Sequence, residues 1–306
     1  MAAAPVALSD ELRQRIARLQ LGARTLVEGT VTGLHRSPLQ GFSVEFAQHR
    51  EYAWGDELRH LDWKVFARTD RFYVKQYEQE TNLGAVCLLD ASASMAYGGA
   101  RAACSKYEYG ATLAAAFTYL LLRQQDALAL TLFGEDELAH VPLSGHPGQL
   151  RRVAQAMAQV DLQAESGDPP VLARLAEGLR RRGVVLLISD LLFPAETLLS
   201  GLRHLRHRGH EALVLHLVDP DELDLPFEGP TRFVGLEGAG ELLADPRGLR
   251  RAYAAAMARF LADIEAGARD ARADYHRIDT RHPPALNLAR VLTQRRRGAG
   301  ARGSWS

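Results

Sequence analysis

Residues 90–94 read Asp-Ala-Ser-Ala-Ser, an aspartate followed by two serines at alternate positions. That spacing lets Asp90, Ser92 and Ser94 aim their side chains at one point, while the intervening alanines leave the backbone room to turn. Three hard oxygen donors brought together suit a divalent cation such as Mg²⁺ or Mn²⁺, which takes one or two carboxylates and keeps several waters. Serine and aspartate are also ordinary loop and capping residues, so the motif gains its weight from its place. It follows an apolar run from Gly84 to Leu89, and a second apolar run over 184–189 ends in Asp190. A third run, over 211–218, ends in Asp219. A carboxylate closing a buried strand is costly unless a charge or N–H groups receive it. Asp90, Ser92, Ser94 and Asp190 are therefore the expected metal ligands. Asp219, followed by Pro220, reads as a helix cap or as a group supporting the ligands from behind.

Positioning these groups requires an alternating β/α fold. Strands are expected at 84–89, 127–133, 184–189, 211–218 and 274–279, with an edge strand at 138–143 and a shorter candidate at 231–238. Helices are expected from Ser105, where Glu108 three residues on makes a capping-box pattern, from Pro147 to about Val160, and from Asp168-Pro169 to Gly183. Further helices open at Pro194 and at Asp245-Pro246. The expected architecture is a mainly parallel sheet of five or six strands with helices on both faces, where ligands sit beyond the carboxyl ends of the strands. Ahead of it, residues 1–80 hold a short amphipathic helix over 10–20 and a β-rich arm. Residues 81–294 form the α/β domain, and 295–306 a basic, disordered tail carrying Arg295, Arg296, Arg297 and Arg302.

Composition narrows the function classes. The 306 residues carry 37 Lys+Arg and 37 Asp+Glu, a net charge of zero, which disfavours sequence-blind binding of nucleic acid. No apolar run is long enough for a membrane span, and the first residues lack a secretory-signal pattern, so a cytoplasmic protein is expected. Cys87 and Cys104 are too few for a disulfide framework. His204, His207 and His210 recur every third residue, but near a helix end they suit the negative pole of the helix without any metal.

The Asp-x-Ser-x-Ser segment with Asp190 resembles the metal-ion-dependent adhesion site (MIDAS) of von Willebrand factor A domains. Those domains usually add a threonine from a later loop, and here no threonine occurs between Thr131 and Thr197. Ser166 and Asp168 are the possible substitutes. A longer ordered series precedes the site: Gly41 to Phe46, Arg50 to Tyr52, Gly55-Asp56, Arg59 to Lys64, Ala67 to Thr69 and Tyr77 to Glu80, then Leu89 to Met95. This series resembles the DUF58 family of bacterial proteins with a von Willebrand factor A-like domain. The resemblance implies a non-enzymatic interaction module working with a MoxR-type AAA+ ATPase in assembling or activating other proteins. A partner carboxylate would complete the metal's coordination.

Two other readings stay open. Asp62-Trp63-Lys64, with Asp56 or Glu45 upstream, matches the ending of a nuclease motif and points to a metal-dependent hydrolase. The missing threonine points to a metal-free scaffold with a decayed site. In the arm, Arg50, Trp54, Arg59, Trp63 and Arg68 are candidates for a partner surface, since Trp and Arg are enriched in binding hot spots. The competing expectation is that the arm's aromatics serve its own small core.

Overall fold

The computed structural model describes residues 9–31, 44–52, 63–79, 84–162, 182–238 and 240–302. Helix α1 (Asp10–Val31) opens behind Ser9, whose hydroxyl accepts from the Leu12 amide at 3.2 Å. It runs on past the pattern over 10–20 because Ala23, Leu26 and Val27 continue an apolar face buried in the main core. Strands β1 (Val44–Glu51) and β2 (Tyr73–Gln79) pair antiparallel, with α2 (Trp63–Thr69) between them. The arm is thus a hairpin carrying a short helix. Phe66 stacks on Phe72 with centroids 4.4 Å apart, and Trp63 and Tyr52 pack edge-on against this pair.

The remaining strands are β3 (Gly84–Asp90), β4 (Ala127–Phe133), β5 (Glu137–Ser144), β6 (Gly183–Ser189), β7 (Glu211–Val218), β8 (Thr231–Val234), β9 (Glu241–Ala244) and β10 (Asp274–Asp279). Six form one sheet in the order β10-β7-β6-β3-β4-β5, parallel throughout except for β5. Strands β8 and β9 stand apart as an antiparallel hairpin. The segment 231–238 therefore supplies a strand, but not to the main sheet. Its partner, Glu241–Ala244, has only four residues and too little alternation to be read from sequence.

Successive strand residues point to opposite faces, and both faces are covered. Cys87, Leu89, Leu130, Leu186 and Leu215 pack with α1, α3 (Lys106–Arg123), α4 (Gln149–Gln159) and the last helix. Val86, Leu88, Val185, Leu187 and Val214 pack with α5 (Ala195–His207) and the long helix after β9. Later helices are α6 (Pro220–Asp224), α7 (Pro246–Asp270) and α8 (Pro284–Arg302). Helix α3 lies hard against the sheet at Gly110, where a Cβ would fall 2.9 Å from Leu89 and 3.2 Å from Ile188 and Leu217.

The chain fills one side of β3 with β4 and β5, then crosses to build β6, β7 and β10 on the other. Strand order reverses between β3 and β6, so the crevice at their carboxyl ends is the expected ligand position of such a sheet. Arg295 corrects the expectation of a solvated tail. It sits in α8 with its guanidinium buried against Glu211 at 3.0 Å and Asp274 at 3.5 Å. The stripe of Leu288, Val291 and Leu292 carries it onto the buried face, one turn on. The side chains of Arg296, Arg297 and Arg302 lie outside the described set, as does the helix expected over 168–183. No helix among the described residues is long and apolar enough to cross a membrane.

Candidate metal centre

Strands β3 and β6 deliver Asp90 and Asp190 to the crevice where strand order reverses. Asp90 is 2% exposed. Its Oδ1 accepts from the Ser92 amide at 3.0 Å and its Oδ2 from the Ser189 hydroxyl at 2.5 Å. Ser92 precedes a single 3-10 turn over Ala93–Ala96, and the Ser92 and Ser94 hydroxyls lie 3.1 Å apart. Asp190 follows directly from β6, and its carboxylate accepts from the Leu192 amide at 3.3 Å.

The turn after Asp190 is held in a demanding conformation. Leu191 has a φ of +57°, a left-handed geometry that side chains with a Cβ seldom adopt. The Ser189 hydroxyl accepts its amide at 2.8 Å, and its side chain is buried. These contacts hold the strain in place beside the cluster. Ser189 therefore braces both strand ends, since one hydroxyl donates to Asp90 and receives from Leu191.

Electrostatics show that the two aspartates feel one another. Burial pushes the Asp90 carboxyl up to about 7, and the Asp190 charge pushes in the same direction, against the hydrogen bonds from Ser189 and Ser92. Asp190 has a partner that sequence reasoning missed. The Lys106 ammonium, 1% exposed, donates to Asp190 Oδ2 at 2.7 Å and to Glu222 Oε1 at 2.5 Å. Burial alone would lower the Lys106 pKa, but the two carboxylates outweigh it and hold the amine protonated. A signal for this pair was available, because a lysine at the first position of a helix opposes the backbone dipole and calls for a local anion. Its partners, 84 and 116 residues away, were not readable.

Behind Asp190, His216 places Nε2 3.0 Å from the Asp190 carbonyl and Nδ1 2.7 Å from the Tyr275 hydroxyl. Burial lowers its pKa to about 4, so the ring is neutral near pH 7, with Nε2–H donating to the carbonyl. Asp219 serves elsewhere. It caps α6, accepting the Asp221 amide at 2.8 Å, while the Glu222 carboxylate accepts the Asp219 amide at 2.8 Å. Its other oxygen accepts the Gly99 amide at 2.9 Å, tying the loop after the serines to the end of β7. From the β8–β9 hairpin, Glu237 reaches in and accepts the Ser94 amide at 3.2 Å, a contact spanning 143 residues.

Trp63 and Arg68 are exposed on α2, Trp63 at 62%. Ser166, Asp168, Trp54, Arg59, Asp56 and Asp62 lie outside the described residues, as do the side chains of Arg50 and Glu45.

Among the described residues no three His, Cys, Asp or Glu side chains converge closely enough to hold a metal by themselves. A cation here therefore draws on serine hydroxyls and water as well as carboxylate oxygen. The local charge fits that need. Lys106 pairs with Asp190 and Glu222, and Asp90 adds a third carboxyl group that feels the Asp190 charge, so carboxyl groups outnumber the ammonium. Two clustered hydroxyls beside buried carboxyl groups form a donor set of the kind that suits a small hard dication.

Comparison with known proteins bears on identity rather than on the ion. Uncharacterised proteins of Mycobacterium tuberculosis and Mycobacterium bovis are each 28% identical over 294 residues, 94% of this chain and 91% of the relative. Similar solved structures include BatB from Bacteroides thetaiotaomicron, at 14% identity and a TM-score of 0.45, covering 71% of this chain and all of that one. The Rpn10 VWA domain aligns at 16% identity and a TM-score of 0.38, covering 70% of this chain and 95% of that one. The DUF58 profile, described as a protein of unknown function, matches residues 48–262. With most of its length inside that match, the chain belongs to the DUF58 family.

Proposed function

We propose that this protein is a non-enzymatic interaction module in which Asp90, Ser92, Ser94 and Asp190 hold Mg²⁺ or Mn²⁺ and a partner protein docks through an acidic side chain. Once bound, the ion would supply a Lewis-acidic centre with an exchangeable position for a Glu or Asp. The single supporting observation is the meeting of the serine loop with two strand-end aspartates, where Asp90 is driven up to about 7 beside an excess of negative charge. A nearby cation would favour the ionised form of such a carboxyl group. Following the family resemblance, the partner is a MoxR-type AAA+ ATPase, and the role is assembly or activation of other proteins.

The test is thermal unfolding with Mg²⁺ and with chelator, alongside affinity capture of the ATPase. Mg²⁺ should raise the melting temperature of the wild type and leave that of Asp90→Ala unchanged. Capture should require the ion. A second reading, a metal-free scaffold, is favoured by one observation: Lys106 already places a cation on Asp190. Capture that proceeds equally in chelator, with no Mg²⁺ response in melting, would establish that reading instead. Nothing among the described residues favours the hydrolase reading.

A further inference from the structure

The two edges of the six-stranded sheet are finished differently. Strand β5 carries Pro142, and its pairing with β4 shifts register, two devices that keep an edge from taking up a further strand. Strand β10 has neither, since it runs in unbroken register with β7 from Asp274 to Asp279 and contains no proline. In a parallel pair, alternate residues direct both backbone groups to the neighbouring strand. The Thr280 amide donates to the Val218 carbonyl at 3.1 Å, so the even-numbered residues face β7. Tyr275 and Arg277 turn their N–H and C=O groups to the open side, where they meet no backbone partner among the described residues.

Helices α7 and α8 flank that edge without closing it. Between them lies a cavity of ≈ 330 Å³, lined on its apolar side by the buried Leu261, Ile278 and Val291. A second cavity, of ≈ 210 Å³, continues it toward Ala273, and the two share Glu265, Tyr275, His276 and Gln294. Together they make a trough along β10. Its carboxylates are already matched, because Arg269 donates to Glu265 at 3.2 Å and Arg295 lies 3.5 Å from Asp274. Arg277 and Arg290 line the same trough, are exposed, and have no ion-pair partner among the described residues. The trough thus joins a surplus of positive charge to a strand edge with unspent donors and acceptors.

We propose that an extended acidic segment of a partner protein docks in this trough as an added strand, its main chain pairing with Tyr275 and Arg277 and its carboxylates meeting Arg277 and Arg290. Main-chain hydrogen bonds supply the affinity in this mode, and the two arginines select the sign of the partner's charge. A second copy of this chain is a poorer occupant, because its edge brings the same surplus of arginine. Strands β7 and β6 separate β10 from β3 and Asp90, and docking here owes nothing to a metal ion.

The test measures, by fluorescence anisotropy in chelator, binding of the full chain to an end-blocked peptide of about seven alternating Glu and Val residues, the length of an ordinary strand. This peptide should bind, whereas a Lys-Val peptide of equal length should not. Its N-methylated form, which keeps the charges and loses the amide donors, should not bind either. Arg277→Glu combined with Arg290→Glu should weaken binding roughly tenfold or more. Arg277→Pro should weaken it roughly fivefold beyond Arg277→Ala, because proline removes the outward amide at a position where a free edge tolerates it. Equal binding of the methylated peptide, or of the charge-reversed variant, would overturn the proposal, as would no binding of the Glu-Val peptide at millimolar concentration. A wild-type dimer that Arg277→Pro dissolves would give the edge to a second copy and overturn it as well. Melting curves check the fold of each variant, and should Arg277→Pro unfold the chain, Arg290→Glu and the methylated peptide still decide.

Discussion

Asp90 and Asp219 occupy equivalent places, each closing or following a buried parallel strand, and they are 2% and 0% exposed. Burial does not distinguish them. Their donors do. Asp219 receives two fixed backbone amides, from Gly99 and Asp221, and its own amide is taken by Glu222. Asp90 receives one amide and one hydroxyl, next to two more hydroxyls and a second aspartate. An amide can only donate, whereas a hydroxyl can rotate and offer a lone pair to an ion. The end of β7 is therefore closed by fixed amides, while the end of β3 is lined by rotatable hydroxyls, as the proposed cation site requires.

The largest test of this contrast concerns the residue standing between the two. Lys106→Met removes the ammonium that pairs with both Asp190 and Glu222, leaving buried charge uncompensated. It should cost about 3–5 kcal/mol in denaturant unfolding. Adding Asp190→Asn to it should recover part of that loss. If Lys106→Met alone unfolds as the wild type does, the ammonium is not what holds the strand ends together.

Asp219→Ala should come next, at about 2 kcal/mol, because two amides lose their acceptor and α6 loses its cap. Its Mg²⁺ response in thermal melting should be retained. Loss of that response would mean that the two strand ends share one site. Asp90→Asn should be milder in chelator, within about 1 kcal/mol of the wild type, since it removes a charge that burial and Asp190 already disfavour. It should nevertheless abolish the Mg²⁺ response. An unchanged response would place the ion elsewhere.

The smallest effect is expected in the arm. Trp63→Ala should change stability by no more than about 1 kcal/mol, because the ring is largely solvated and makes one edge contact with Phe66. It should weaken capture of the partner only if α2 contributes to the interface. A loss of capture in Trp63→Ala with Mg²⁺ binding intact would mark the arm as a second contact surface, separate from the strand ends.

Much of this was legible because local chemistry and fold agree along β3, β6 and β7. Continuous apolar runs announce strands covered on both faces, and the aspartates that end them stand out against that background. The cluster's long-range partners were not legible. Lys106, Glu222 and Glu237 are ordinary surface residue types whose roles arise only when distant segments are folded together. Ser189 passed as the last position of the strand expected over 184–189, although its single hydroxyl braces both strand ends. Arg295 was misread for a related reason. A run of arginines near a terminus looks solvated unless the helical stripe before it is followed one turn further. Helix α1 outran its pattern because small residues such as Ala23 pack in the core while contributing little to an apolar period.

The close seat of Gly110 on Leu89, Ile188 and Leu217 has a mechanical consequence. Helix α3 begins with Lys106, one turn before that glycine, so whatever sets the gap between helix and sheet also sets how deeply the ammonium is driven between the strand ends. A single methyl group at position 110 would act as a wedge, prising the helix outward and drawing its positive tip from Asp190. Charge at the rim and spacing in the middle of the core are thus one adjustable dimension of the molecule.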